Sequence, residues 1–156
     1  MPTVAVINGP NLNRLGRREP EIYGTATLDD VVEMVRVHAS ELGWSVTAFQ
    51  SNHEGDLIDE IHRQADQGVA GIILNAGALS HYSYALQDAI TAVSVPTVEV
   101  HISDITTREE WRRVSVITSA CVAIITGHGV AGYVEALDLL LDRVKVTSEP
   151  RLRAIG

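Results

Sequence analysis

The chain has 156 residues, of which 46% are hydrophobic and 21% charged, and 20 acids against 12 bases give a formal net charge of −8. That length suits one domain with enough chain to bury a real core. The acidity argues against nucleic acid as the main partner, no apolar run is long enough for a membrane span, and Cys121 alone can form neither an internal disulfide nor a Cys-based zinc site.

The opening Met1-Pro2-Thr3-Val4 has no basic n-region, which makes the cytoplasm the expected location. Val4-Ala5-Val6-Ile7 reads as a buried strand ending at the turn cluster Asn8-Gly9-Pro10-Asn11. A long loop rich in Gly, Arg and Pro runs on to about Ala26. Loops of that length in compact domains usually carry function or are disordered. Leu28, Val31, Val32, Val35, Ala39 and Leu42 form a helical stripe, with Thr27 and Asp30 as its capping pair and Gly43 as its stop. Trp44 to Phe49 alternates as a strand. Leu57, Ile58, Ile61 and Ala65 mark a helix closed by Gly68, and Ala70 to Leu74 is a strand apolar on both faces. Leu86, Ala89, Ile90 and Val93 predict the next helix, and Thr97 to Val100 the next strand. Thr107 with Glu110 is expected to cap a short helix through Arg113. Cys121 to Thr126 reads as the last strand, with the cysteine as core filling. Tyr133, Ala136, Leu137, Leu140, Leu141 and Val144 form the last helical stripe. The folded unit is expected over residues 1–145, with 146–156 as a C-terminal tail, loose or packed on a neighbour.

Strands alternating with helices predict an α/β fold, a three-layer sandwich on a five-stranded parallel sheet of flavodoxin-like order 2-1-3-4-5. Ligands in such a sheet bind beyond the carboxyl ends of the strands. The polar residues of this chain collect there: Asn8 and Asn11, Gln50 to His53, Asn75 to His81, His101 to Asp104, and Gly127 to Gly129. Half of all bases fall in two short segments, Arg14, Arg17 and Arg18 in one and Arg108, Arg112 and Arg113 in the other. Guanidinium forks recognise carboxylate or phosphate, so a small anionic ligand is expected. The alternative is local pairing with Glu19, Glu21, Glu109 and Glu110.

Gly127-His128-Gly129-Val130-Ala131-Gly132 matches a dinucleotide fingerprint, but at the last βα turn, where no further strand follows; close strand–helix packing suits these glycines better. Glu99 and His101, two apart on one strand, share a face, so the carboxylate can orient or charge the imidazole. Judged alone, a satisfied core histidine is an equal alternative. The six histidines show no metal-binding spacing, so no metal is expected.

Longer blocks carry a resemblance. Ile7 to Asn13, Leu15-Gly16, Arg18-Glu19-Pro20 and Tyr23-Gly24 form the first, and Gln50 to Gly55, Asp59 and Ile61-His62 the second. Asn75 to Ala78, His81, Ser83, Ala85-Leu86 and Asp88-Ala89 form the third, and Glu99 to Ser103, Arg108-Glu109-Glu110 and Arg112 the fourth. In this order they resemble type II 3-dehydroquinate dehydratase over all but about the last dozen residues.

The resemblance implies a cofactor-free hydro-lyase that turns 3-dehydroquinate into 3-dehydroshikimate by anti elimination through an enolate. It serves the shikimate pathway of aromatic amino acid biosynthesis or quinate catabolism, which share the chemistry. It implies Tyr23 as the base, acting as tyrosinate. By the same resemblance Arg18 and Arg108 are the matching cations; a free phenol titrates at about 10 and one close cation lowers an acid's pKa by about 1–3, so two suit the shift required. His101 would protonate the leaving hydroxyl, held by Glu99. Asn11 would hold a water on the enolate oxygen near the Ala78 amide. The Ile102 amide and Ser103 would take the carboxylate, and Asn75, His81 and Arg112 the ring hydroxyls. Asp88 would reach across a subunit contact in a dodecamer built of trimers, and the Arg14–Tyr23 loop would act as a lid. Lys145, the only lysine, lies near the C-terminus, which independently disfavours a Schiff-base route.

Gln87, Ser80, Tyr82, Tyr84, Asp104, Thr106-Thr107, Trp111 and Val114 depart from the family's usual residues. Gln87 puts salt links around Asp88 in question, and Asp104 adds negative charge near the expected carboxylate site. A silent flavodoxin-like module binding flavin or nucleotide is the reading from another class, motivated by the sheet order and the late glycine motif.

Overall fold

The computed structural model describes residues 1–148. Its sheet has five parallel strands in the order β2-β1-β3-β4-β5: β1 (Thr3–Asn8), β2 (Ser45–Gln50), β3 (Gly71–Asn75), β4 (Thr97–His101) and β5 (Ala123–Thr126). The register sets Val6 against Ile73, Ile7 against Leu74, and Leu74 against Glu99. Successive strand residues face opposite sides, so the sheet divides its apolar residues between two cores. Val4, Val6, Ile73, Val98 and Val100 lie under α2 (Leu28–Glu41) and α5 (Ala131–Ser148). Ala5, Ile7, Ile72 and Leu74 lie under α3 (Glu54–Asp66) and α4 (Tyr84–Val93). A sheet covered on both faces accounts for strands without polar alternation. Among the described residues no helix is long and apolar enough to cross a membrane.

The expected cap of α2 forms: Asp30 N–H donates to Thr27 Oγ1 at 3.2 Å, and Thr27 N–H donates to Asp30 Oδ2 at 2.9 Å. Its stop also forms, with Gly43 at φ 77° turning the chain into β2. The long loop after β1 is built, not open. It holds a 3-10 turn at Leu12–Arg14 and one short helix, α1 (Pro20–Tyr23), which begins on proline, whose fixed φ suits a first helical position.

Three boundaries differ from expectation. No α-helix forms over 107–113; two 3-10 turns, Ile105–Thr107 and Glu110–Arg112, stand there instead. Asp104 caps the first turn by accepting from Thr106 N–H at 3.0 Å, while Thr107 Oγ1 donates back to the Asp104 carbonyl at 2.9 Å. Arg108 is extended, which separates the turns. β5 starts at Ala123, not Cys121, because Cys121 N–H closes the 3-10 turn Thr118–Ala120 by donating to the Thr118 carbonyl. The half-buried thiol packs against the core, and burial together with the Glu99 charge pushes its pKa up to about 12. Finally, α5 runs to Ser148, beyond the last stripe residue Val144. Extending a formed helix is easy where starting one is not. The rest of the expected tail lies outside the described residues.

Every strand ends in a polar residue: Asn8, Gln50, Asn75, His101 and Thr126. They share one edge of the sheet, and the loops that follow them build the site.

Candidate active site

One cavity opens at this edge. Ten of the expected site residues line it: Asn11, Arg18, Tyr23, Asn75, Ala78, His81, His101, Ile102, Ser103 and Arg112. Glu99 and Arg108 stand directly behind lining residues. Asp88 does not join the cavity; it is exposed on α4.

Tyr23 ends α1, and its hydroxyl sits between two guanidinium groups. Arg18 Nη2 donates to it at 3.3 Å and Arg108 Nη1 at 3.1 Å. Arg18 also lies over the ring, 4.3 Å from its centroid. Arg108 donates as well to Ser103 Oγ at 3.0 Å. Burial works against its charge, but the hydrogen bond and negative charge of Tyr23, with Glu109 and Glu19, outweigh it and raise the Arg108 pKa. Local pairing of the arginines exists too: Arg112 lies 2.6 Å from Glu109 and Arg18 lies 3.5 Å from Glu19. The glutamates are half-exposed, so these pairs leave the guanidiniums facing the cavity.

His101 ends β4 with its ring buried. Its Nε2 lies 2.5 Å from Glu99 Oε2. Glu99 is wholly buried and also accepts from Ser115 Oγ at 2.6 Å and Thr118 Oγ1 at 2.5 Å. Burial alone would raise the Glu99 pKa, but the bond and charge of His101 and the two hydroxyls reverse it, and the net direction is down. The carboxylate is therefore anionic and His101 Nε2–H is the donor, which leaves Nδ1 for a ligand. Ser115 and Thr118 were not foreseen, since hydroxyls in a mixed loop give no periodic signal.

His81 stacks beside His101, with ring centroids 6.1 Å apart, and Trp111 meets its edge at 5.4 Å. His81 Nδ1 lies 2.7 Å from the Val114 carbonyl, which can only accept. Burial lowers the His81 pKa, helped by the charges of His101 and Arg112 and opposed by the Val114 bond and Glu99. The ring is thus neutral, with an acceptor at Nε2. Asn11 adopts a left-handed φ of 69°, and its N–H donates to Asn52 Oδ1 at 2.9 Å. Gln50 Nε2 donates to the same oxygen at 3.2 Å.

The departures fall outside the cavity wall. Asp104 spends its carboxylate on Thr106, whose bonds lower its pKa, and Gln87 donates to Ser119 Oγ at 2.7 Å. The late glycine motif is also spoken for. Gly127 N–H donates to the Ser103 carbonyl at 3.1 Å and Gly129 N–H to the Ile102 carbonyl at 3.0 Å. A Cβ on Gly132 would stand 3.2 Å from Ile125 Cγ2. The amides that would cradle a pyrophosphate hold the Ile102–Ser103 segment instead, and Gly132 packs helix on strand.

Comparison with known proteins places the chain in a family. Residues 2–141 match the family described as dehydroquinase class II. A 3-dehydroquinate dehydratase of Caldicellulosiruptor saccharolyticus is 53% identical over 137 residues, 88% of this chain and 94% of that one. One from Bacillus subtilis is 50% identical over 143 residues, 92% of this chain and 96% of that one. The crystal structure of a type II dehydroquinase from Butyrivibrio crossotus superposes with a TM-score of 0.88 at 44% identity, covering 90% of this chain and 97% of that one.

Proposed function

The chain belongs to the class II dehydroquinase family, and on that premise we propose how its own residues carry out the family's reaction. The enzyme converts 3-dehydroquinate to 3-dehydroshikimate with loss of water, a step of the shikimate pathway. The observation that carries the residue assignment is the Tyr23 hydroxyl held by Arg18 and Arg108 at the wall of the cavity that also contains His101.

Tyr23, as phenolate, takes the proton beside the ketone. Two guanidiniums within hydrogen-bond reach stabilise negative charge on that oxygen, and they act most strongly once the lid excludes water. The resulting enolate oxygen is met by a water held by Asn11, with the Ala78 amide close by. His101, held in place by Glu99 through Nε2, gives a proton to the departing hydroxyl. The Ile102 amide and Ser103 hold the substrate carboxylate, which places it next to Arg108. Asn75, His81 and Arg112 hold the ring hydroxyls. His81 accepts through Nε2, while Arg112 donates, so the pair fixes the hydrogen-bond sense of a diol.

We read the active assembly as a cytoplasmic homo-oligomer, a dodecamer of trimers, with Asp88 at a subunit contact. What supports this is that Asp88 is exposed away from its own cavity, with exposed Tyr82 and Tyr84 near it in sequence. Light scattering at assay concentration checks the assembly.

The test of the function is an ultraviolet assay. The product enone absorbance should rise with 3-dehydroquinate and vanish in Tyr23→Phe, with the fold unchanged by circular dichroism. Near-normal turnover by that variant refutes Tyr23 as base.

A further inference from the structure

We propose that Tyr133, a core residue of α5, is a positioning residue for the elimination: its buried hydroxyl fixes which end of the Asn75 carboxamide faces the substrate. The proposal rests on the reading of Asn75 as a substrate ligand.

The three residues come from three elements. Tyr133 is fully buried, and Asn8 and Asn75, the last residues of β1 and β3, are nearly so. The Tyr133 hydroxyl donates to Asn8 Oδ1 at 2.7 Å and accepts from Asn75 Nδ2 at 2.9 Å. Asn75 Oδ1 accepts from Gly77 N–H at 3.2 Å.

A carboxamide can turn end for end with almost no change of shape, exchanging a donor for an acceptor. Both contacts forbid that here. Gly77 N–H only donates, so it requires the oxygen. The Tyr133 hydroxyl has committed its one proton to Asn8, so it offers lone pairs and requires the amide nitrogen. The reversed amide would set N–H against N–H at Gly77 and oxygen against oxygen at Tyr133. Asn75 has two amide hydrogens; Tyr133 takes one, and the other remains for a ligand in the cavity that Asn75 lines. The substrate therefore meets a donor of fixed direction.

The hydroxyl is otherwise hard to explain. Tyr133 occupies an apolar stripe, where phenylalanine would fill the same volume, and a buried hydroxyl is costly unless it is bonded. Both of its bonds go to asparagines at the site edge. Burial drives the Tyr133 pKa upward, so the group stays a phenol and keeps the single proton that the relay needs.

The experiment is steady-state kinetics with 3-dehydroquinate, plus thermal melts, on wild type, Tyr133→Phe, Asn75→Ala and the double variant. Tyr133→Phe should raise KM about fivefold to tenfold while kcat changes less than about twofold, as expected when ground-state and transition-state binding are lost equally. In the Asn75→Ala background the same change should add nothing to KM. A lowered melting temperature with KM within about twofold of wild type would mark the hydroxyl as merely structural and overturn the proposal. So would an equal KM rise in both backgrounds. Wild-type KM in Asn75→Ala would instead remove the premise that Asn75 binds substrate. If Tyr133→Phe fails to fold, Asn8→Ala reads the same relay: the freed hydroxyl can turn its proton toward Asn75 and no longer holds Nδ2, which leaves Gly77 N–H alone to orient the amide, so KM should rise about threefold. An unchanged KM there overturns the proposal as well.

Discussion

Arg108 Nη1 lies 3.1 Å from the Tyr23 hydroxyl and 3.0 Å from Ser103 Oγ, so one guanidinium joins the proposed base to the proposed carboxylate pocket. Nη1 has two hydrogens fixed in the guanidinium plane, one for each oxygen, whereas an ammonium is a rotating point charge on a shorter reach. Arg108→Lys is therefore expected to lose about 10²-fold in kcat/KM, comparable to deleting one preorganised donor. Arg18→Lys, whose partner contact is longer at 3.3 Å, should lose less. Initial-rate kinetics on the two variants checks the order. Equal losses would mean that Arg108 has no second task at Ser103.

His101 and Glu99 divide their work differently. His101 touches the cavity, while Glu99 touches His101 alone among the proposed catalytic groups. His101→Ala should cut kcat by about 10²–10⁴-fold, the span of a lost general acid, and move KM little. Thr118→Val removes one of three bonds to the Glu99 carboxylate and should shift the pH profile of kcat while leaving KM alone. A Thr118→Val enzyme with wild-type rate at every pH would show that the carboxylate needs no such support.

Acid should destabilise the fold in two stages. His81 has a folded pKa below its ordinary 6.5, so the unfolded chain binds its proton first. The stability it contributes is present above about 6.5 and declines as pH falls below it. Glu99 has a folded pKa below its ordinary 4.5; its contribution is present above that value and is lost as pH falls through the lower folded value. Melting temperature against pH should show a first decline from about pH 6.5 and a steeper one below about pH 4.5. Exposed Asp30, Asp104 and Glu109 also titrate low. Their shifts come mainly from local hydrogen bonds that a change at Glu99 leaves in place, so the share of the lower limb that belongs to Glu99 is the part that weakens in Glu99→Gln. A lower limb identical in the variant would remove Glu99 from the account.

Much of this was open to reading in the residues. The sheet order followed from alternating apolar runs, and the site edge from the polar residue that ends each strand. Glu99 and His101 could be paired because two-residue spacing puts them on one face. Tyr23 and Arg108 are 85 positions apart, and no spacing rule joins them; only the resemblance did. The expected helix over 107–113 failed because Thr107 and Glu110 satisfy a capping pattern that Asp104 pre-empts, and because Arg108 is extended. Ser115, Thr118 and the Tyr133 hydroxyl stayed hidden for another reason. A side chain's class shows in sequence, but the atom at its far end meets partners set by the tertiary path. Tyr133 fits its apolar stripe by its ring, and nothing along the chain says that its oxygen ends between two asparagines.

The floor of the site depends on one close backbone approach. Gly9 N–H donates to the Asn75 carbonyl at 2.7 Å, and a Cβ on Gly9 would stand 2.5 Å from the Ala76 carbonyl oxygen. Backbone cannot yield there as a side-chain tip would, so the loop after β1 and the loop after β3 would be forced apart. The first loop carries Asn11, and the second starts directly after Asn75, the last residue of β3. Gly9→Ala is expected to cost about 1–3 kcal/mol of stability, the usual range for overpacking, and to lower kcat/KM by at least about tenfold even well below its melting temperature, because displacement of about 1 Å can cost 10²-fold. Gly55→Ala is the control, since nothing lies within 4 Å of its added carbon. Denaturant unfolding and kinetics on both variants decide it: a Gly9→Ala enzyme as active and stable as Gly55→Ala would mean that the two loops are not held by this contact.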